Sequence, residues 1–218
     1  IVLGLVSAIG PFAIDMYLPA LPAISSDLGA STAATQMTLM VFFVTFGVAQ
    51  IAYGPISDTV GRRPPLFFGL AIFAIGGVGC ALSPTIEWLI FFRLVQGLGA
   101  STGMVVPRAV VRDLHTGPEA AKLMSLLMLV FSVSPILAPL TGSLIIDAFG
   151  WRAVFFVGVL PALVVFWIRR DVPESEIWQR RQAAPSTSAG SLRILWRKDL
   201  RRNGLVATAM NACGMFGY

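Results

Sequence analysis

The 218-residue chain is 56% apolar and only 12% charged, with a mean hydropathy of +0.79, a balance that excludes an ordinary soluble domain of this length and places the chain in a bilayer. Its net charge of +5 does not point to nucleic acid, because the basic residues flank apolar runs and form no basic, aromatic-interleaved face. Cys80 and Cys213 both lie inside apolar stretches, where cysteine behaves as a small hydrophobe, so neither a disulfide nor a metal pair is expected.

A helix that crosses the hydrocarbon core needs about 20 mostly apolar residues. Six such stretches precede the charged segment that starts at Arg169: residues 1–24, 35–56, 65–82, 86–106, 120–146 and 153–168. Residues 1–168 are therefore expected to form a six-helix membrane bundle. Residues 169–203 read as a polar linker, with Pro173, Pro185 and Gly190 inside it and Trp178 and Trp196 suited to a membrane surface. Residues 204–218 read as the start of a seventh span. The chain opens at Ile1 inside an apolar run without an initiator Met or a basic flank, and so reads as a piece of a longer product. The length of the first run and the Asp15 in its middle argue for a true span and against a signal peptide.

Lys and Arg accumulate in cytoplasmic loops. The loop after span two carries Arg62 and Arg63, the loop after span four carries Arg108, Arg112 and Lys122, and the segment after span six carries nine more, fourteen of the sixteen basic residues in all. The opposite loops offer only Arg152. Even-numbered spans are thus expected to run outward to inward, with a cytoplasmic N-terminal side.

An internal repeat fits this arrangement. A shift of 89 positions lays Asp58-Thr59-Val60-Gly61-Arg62-Arg63 over Asp147-Ala148-Phe149-Gly150-Trp151-Arg152, and continues to match Phe67 with Phe156 and Gly69 with Gly158. One copy follows span two and the other span five, as two three-helix units of inverted topology require.

Charges inside an apolar span are expensive unless paired or hydrated, and so mark functional positions. Asp15 lies about nine residues, or ~13 Å, below the outward end of span one, and Arg93 about six residues, or ~9 Å, below the same face in span four. Opposite charges at similar depth are expected to share an aqueous cavity, where loosening of the pair couples substrate and proton binding. The alternative is a buried ion pair that only fixes helix packing.

The most specific motif is Gly54-Pro55-Ile56-Ser57-Asp58-Thr59-Val60-Gly61-Arg62-Arg63. Gly61 permits a tight turn between spans two and three, Asp58 ends span two, and Arg62 and Arg63 hold the basic side. It resembles the G-x-x-[SA]-D-x-x-G-R-[RK] loop of major facilitator transporters. That resemblance implies a charge network of Asp58 and Arg62 closing the cytoplasmic gate, with Arg112 or Asp113 as local partners. Arg93-Leu94-Val95-Gln96-Gly97-Leu98-Gly99-Ala100 resembles the fourth-span pattern of the same family, which implies a part in proton coupling for Arg93 and for Gln96. Gly99 and Gly103 form a small-xxx-small face for close helix approach.

In span five, Pro135 and Pro139 remove backbone donors and are expected to bend the helix, with Gly142 allowing close contact at the bend. The stretch resembles the G-P-x-x-G-G element of antiporters, with Ala138 and Ser143 in place of two glycines. The segment 15–24, taken with Gly150-Trp151-Arg152-Ala153 and the motifs above, is similar to the bicyclomycin- and chloramphenicol-resistance branch of drug:proton antiporters, over about residues 11–168. The resemblance implies an all-α major facilitator fold and proton-coupled export of drugs or small organic molecules. The proton gradient is then the energy source and no bound cofactor is needed. The implied partners are a small-molecule substrate, the bilayer of a bacterial inner membrane and a C-terminal half of the same transporter. Met16, Tyr17, Met40, Phe43 and Met104 suit a pliable apolar cavity.

Past Pro173 the chain looks at least as much like proton symporters that import small organic acids. An enzyme is not expected: there is no paired carboxylate, nucleophile–base set or metal-spaced His/Cys cluster, and His115 is the only histidine.

Overall fold

A computed structural model describes residues 2–168. The predicted linker at 169–203, the seventh span and Cys213 lie outside the described residues. Among the described residues the chain is helical throughout: α1 (Val2–Asp15), a 3-10 turn (Leu18–Ala20), α2 (Leu21–Asp27), α3 (Thr32–Val60), α4 (Arg63–Ala81), α5 (Ile86–Ala100), α6 (Thr102–Leu114), α7 (Gly117–Phe149) and α8 (Trp151–Ile168). Five stretches are long and apolar enough to cross a membrane, namely Leu3–Asp27, Thr32–Val60, Arg63–Ala81, Ile86–Leu114 and Gly117–Phe149, and α8 is a shorter apolar helix. They occupy the six predicted positions.

Two of the six predicted spans are not single helices. The first breaks after Asp15, because Pro19 and Pro22 bring no N–H to the ladder; the chain passes through the 3-10 turn, closed by Ala20 N–H donating to the Tyr17 carbonyl at 2.9 Å, before α2 begins. The fourth is interrupted at Ser101 and then runs on to Leu114, past its predicted end at 106. Arg108 and Arg112 therefore belong to α6 and not to a loop, and the half-buried Arg108 guanidinium sits 5.4 Å from the Phe131 ring centre. Hydropathy misplaces this boundary because Arg108, Arg112 and Asp113 lower the apolar average over the last turns of α6 although the helix continues through them. The fifth span is one helix of 33 residues that runs through Pro135 and Pro139 without a break.

The end signals are local. The Ser31 hydroxyl accepts from Ala34 N–H and caps α3. Gly61 ends the same helix with φ 99° and ψ 172°, and Gly150 ends α7 with φ 81° and ψ 168°. These two glycines are the equivalent positions of the repeat, and their nearly equal positive-φ turns give the 89-residue offset a structural counterpart.

The core has two large clusters and a smaller one of Met16, Ala138 and Val154. Val6, Ile9, Phe42, Phe46, Leu70 and Phe73 form the one nearer the Gly61 turn. Tyr17, Ile24, Cys80, Leu89, Trp151 and Phe155 form the one nearer the Gly150 turn, with Cys80 fully buried as a small apolar group. On the other side, α3 and α7 present rows of exposed apolar residues, Val44, Val48 and Ile51 on α3 and Ile136, Leu140 and Leu144 on α7. Such rows face lipid or further helices.

Candidate functional site: a buried arginine in an aromatic clamp

Arg93 lies at the junction of the two clusters and is 0% exposed. It stands on α5, whose neighbour α3 comes unusually close: a Cβ at Gly97 would lie 2.6 Å from the Phe42 carbonyl oxygen. That approach carries the Phe42 ring under the guanidinium, 4.3 Å from its carbon, while the Tyr17 ring covers it at 4.2 Å and Phe155 stands at 5.9 Å. Two π faces offset part of the cost of burying the cation. Tyr17 is held by a hydrogen bond between its hydroxyl and that of Thr38 on α3. Through Nη1, Arg93 donates to Gln96 Oε1 at 2.8 Å, one helical turn away, and to the Ala13 carbonyl at 3.3 Å. Among the described residues Nε and Nη2 have no hydrogen-bond partner although both are buried. Arg93 and Gln96, for each of which the resemblance implies a part in proton coupling, are thus hydrogen-bonded to each other.

The predicted ion pair with Asp15 is not formed in this structure. Arg93 reaches α1 through the Ala13 backbone carbonyl, and the half-buried Asp15, which ends that helix, forms no hydrogen bond or ion pair with the guanidinium among the described residues. Depth was readable from the sequence; the partner was not. Asp15 instead ends α1 beside the break, where Met16 packs with Ala138 and Val154. Gly142 serves this contact, since a Cβ there would lie 2.6 Å from the Met16 carbonyl oxygen. The span-five motif thus sits against the break in span one.

At the Gly61 turn, Arg62 is 6% exposed, and its partners include Asp58 Oδ1 at 2.6 Å, Asp113 Oδ2 at 2.8 Å and the Ser57 hydroxyl at 2.7 Å. Of the two partners expected from the end of span four, Asp113 makes the bond, and Arg112 is exposed. Burial alone lowers the guanidinium pKa, but the hydrogen bonds it donates to Asp113 and Asp58 outweigh it and hold the group above its ordinary value. Gly54, also in the motif, has open space at its Cβ position. Arg63 opens α4.

Other expectations divide. Gly99 and Gly103 do not present one face to one helix: Gly99 meets α4 at Phe73 N, and Gly103 meets α1 at the Val6 carbonyl. Met16 and Tyr17 are buried and Met104 receives a hydrogen bond from Gln50 Nε2 at 3.3 Å, while Met40 is largely exposed. His115 pairs with Glu119 at 3.2 Å. A groove of about 680 Å³ between α1, α6 and α7 is lined by Leu3, Leu5, Val111, Leu123, Leu127 and Val130 among others; it holds no ionisable group and lies away from Arg93. Phe42, Thr38 and the Ala13 carbonyl went unread in the sequence because aromatic residues and backbone oxygens in an apolar span look like packing.

The Major Facilitator Superfamily model matches residues 3–218. The chain is 39% identical over 196 residues to YdgK, an MFS-type transporter of Bacillus subtilis (strain 168), covering 88% of this chain and 48% of that protein. It is 37% identical over 176 residues to multidrug resistance protein D of Escherichia coli (strain K12), covering 80% and 45%. To a bicyclomycin resistance protein homolog of Haemophilus influenzae (strain ATCC 51907 / DSM 11121 / KW20 / Rd) it is 30% identical over 221 residues, covering 99% and 55%. The fold matches that of a proton:xylose symporter bound to 6-bromo-6-deoxy-D-glucose with a TM-score of 0.73 at 18% identity, over all of this chain and 55% of the symporter. The chain spans about half the length of the curated relatives it matches. Membrane-length helices, the Gly61–Arg62 turn and the family match agree: the chain belongs to the major facilitator superfamily, and within it resembles the drug-resistance branch that includes the bicyclomycin resistance proteins.

Proposed function

We propose that this bundle is the first half of a proton-coupled exporter of drugs or small organic molecules in a bacterial inner membrane, completed by a second bundle that packs on the apolar rows of α3 and α7. The observation that carries the reading is Arg93, a fully buried cation with two guanidinium nitrogens, Nε and Nη2, unmatched among the described residues in the middle of an apolar bundle. A purely structural arginine there would leave uncompensated donors in a low-dielectric site. One whose partner arrives during the transport cycle would not. Asp15, half-buried at the break in the first span, is the group that takes up and releases the proton; its movement about the break brings it to or from Arg93. Gln96 orients the guanidinium through Nη1.

The relatives named for multidrug and bicyclomycin resistance support drugs as the substrate class. The Lys and Arg gathered at the Arg62 end of the bundle support a cytoplasmic position for that turn and for the N-terminal side, where the Asp58–Arg62–Asp113 cluster acts as part of the gate. The chemistry is displacement of a solute and a proton and needs no bound cofactor.

The test uses the full-length protein in cells that lack other efflux pumps. Accumulation of chloramphenicol is expected to fall when the protein is expressed and to recover when the proton gradient is collapsed. Asp15→Asn and Arg93→Ala proteins, present in the membrane at parental levels, are expected to lose the effect. Exclusion that persists in both variants overturns the assignment of the pair, and gradient-driven uptake of an organic acid in its place overturns export.

A further inference from the structure

We infer that Asp27, Trp151 and Arg152 form a second latch, the counterpart of the Arg62 cluster at the other end of the bundle, and that it pins the far segment of the broken first span over the Arg93 pocket. Arg152 Nη1 contacts Asp27 Oδ2 at 2.6 Å, Trp151 Nε1 donates to the same oxygen at 3.0 Å, and Arg152 Nη2 lies 3.4 Å from the Ser83 carbonyl just beyond α4. The Arg152 guanidinium stacks 4.2 Å from the Trp151 ring. Three spans thus meet at one carboxylate and one guanidinium: the end of the first, the end of the third and the start of the sixth.

The placement follows the repeat. At the Gly61 turn, between the second and third helices of the first unit, arginine binds Asp113 at the end of the first helix of the second unit. At the Gly150 turn, between the second and third helices of the second unit, arginine binds Asp27 at the end of the first helix of the first unit. Each unit's turn is therefore held by the other unit's leading helix. The two latches differ in depth. Arg62 is nearly buried, whereas the side chains of Arg152 and Asp27 are 42% and 47% exposed, so the second is the weaker and the more easily opened.

What it holds is a short lever. α2 has seven residues, and the 3-10 turn with Pro19 joins it to α1. The connection is held by i→i+3 bonds, Tyr17 N–H to the Ile14 carbonyl at 3.2 Å and Ala20 N–H to the Tyr17 carbonyl at 2.9 Å, and Pro19 and Pro22 each withhold a donor, so the ladder is thinned there and the direction of α2 leans on its side-chain contacts. Its buried residues, Ala20 of the turn and Ile24, are 0% exposed and pack in the cluster that includes Tyr17 and Phe155, the rings that stand over and beside Arg93. With Asp27 released, the segment pivots at residues 16–20 and uncovers that cluster. The latch needs no assumption about what is transported.

The test places a single cysteine at Ala20→Cys in the full-length protein, with all other cysteines replaced, and follows its alkylation by a maleimide in membranes. The parent is expected to react slowly. Asp27→Asn and Arg152→Gln are each expected to raise the rate about two- to fivefold, the range open to a half-exposed pair, and the double variant by no more than either alone. The reversed pair, Asp27→Arg with Arg152→Asp, is expected to return towards the parental rate, and rising salt to accelerate the parent but not Arg152→Gln. Unchanged rates in the single variants, or additive increments in the double variant, overturn the latch. If either single variant fails to accumulate, the salt dependence of the parent decides, and its absence overturns the latch as well.

Discussion

Gly99→Ala probes the contact that fixes α5, and with it Arg93, against α4. A Cβ at Gly99 would lie 2.3 Å from the Phe73 amide nitrogen, 2.5 Å from the Gly69 carbonyl oxygen and 2.7 Å from the Phe73 Cα. All three are backbone atoms, so no rotamer change relieves the clash, and the helices must part by roughly 1 Å to restore ordinary van der Waals separation. Overpacking of this kind costs about 1–3 kcal/mol. Alanine also gains roughly 0.5–1 kcal/mol over glycine in a helix interior, which would blur a single measurement. Gly47→Ala removes that term: Gly47 is also mid-helix, in α3, and has nothing within 4 Å of its Cβ position. The propensity gain cancels between the two variants, and the difference in their unfolding free energies, read by thermal or denaturant unfolding of the full-length protein in detergent, should be the overpacking cost of about 1–3 kcal/mol. Equal stability of the two variants would refute the claim that backbone contact at Gly99 sets the α4–α5 spacing.

Two further outcomes follow from the charged clusters. Asp113→Asn should destabilise more than Asp58→Asn: Asp113 is 13% exposed against 49% for Asp58, so the first leaves a buried guanidinium short of a counter-charge at a cost of about 3 kcal/mol while the second costs roughly 0–1 kcal/mol, an ordering checked by thermal unfolding of the two variants. Arg93→Lys should fail to replace arginine, because an ammonium cannot lie flat between the Tyr17 and Phe42 rings while donating to Gln96 and Ala13; drug-exclusion assays should give no more than a tenth of the parental activity, with Arg93→Lys protein at normal membrane levels.

The sequence by itself determined a good deal. Apolar run length set six membrane helices, Gly61 and Gly150 in matching contexts announced two equivalent turns, and the Gly54–Arg63 motif with the Arg93–Gln96 spacing pointed to the family and to the residues of the site. These features are local: hydropathy, a positive φ and a one-turn separation are properties of short stretches of chain. Tertiary structure decided the partners. Asp15 and Arg93 share a depth, yet the guanidinium bonds the Ala13 carbonyl and Gln96 and not Asp15. Gly99 and Gly103, four apart on paper, meet different helices because the chain is interrupted at Ser101 between them. The break after Asp15 was written in Pro19 and Pro22 but hidden by an apolar run long enough to pass for one helix. Asp27 finds Arg152 from 125 positions away, a contact that only the inverted packing of two three-helix units creates. Composition fixes how deep a residue lies in the membrane; helix rotation and crossing fix what it touches, because the same apolar pattern is compatible with many azimuths and close packing selects one.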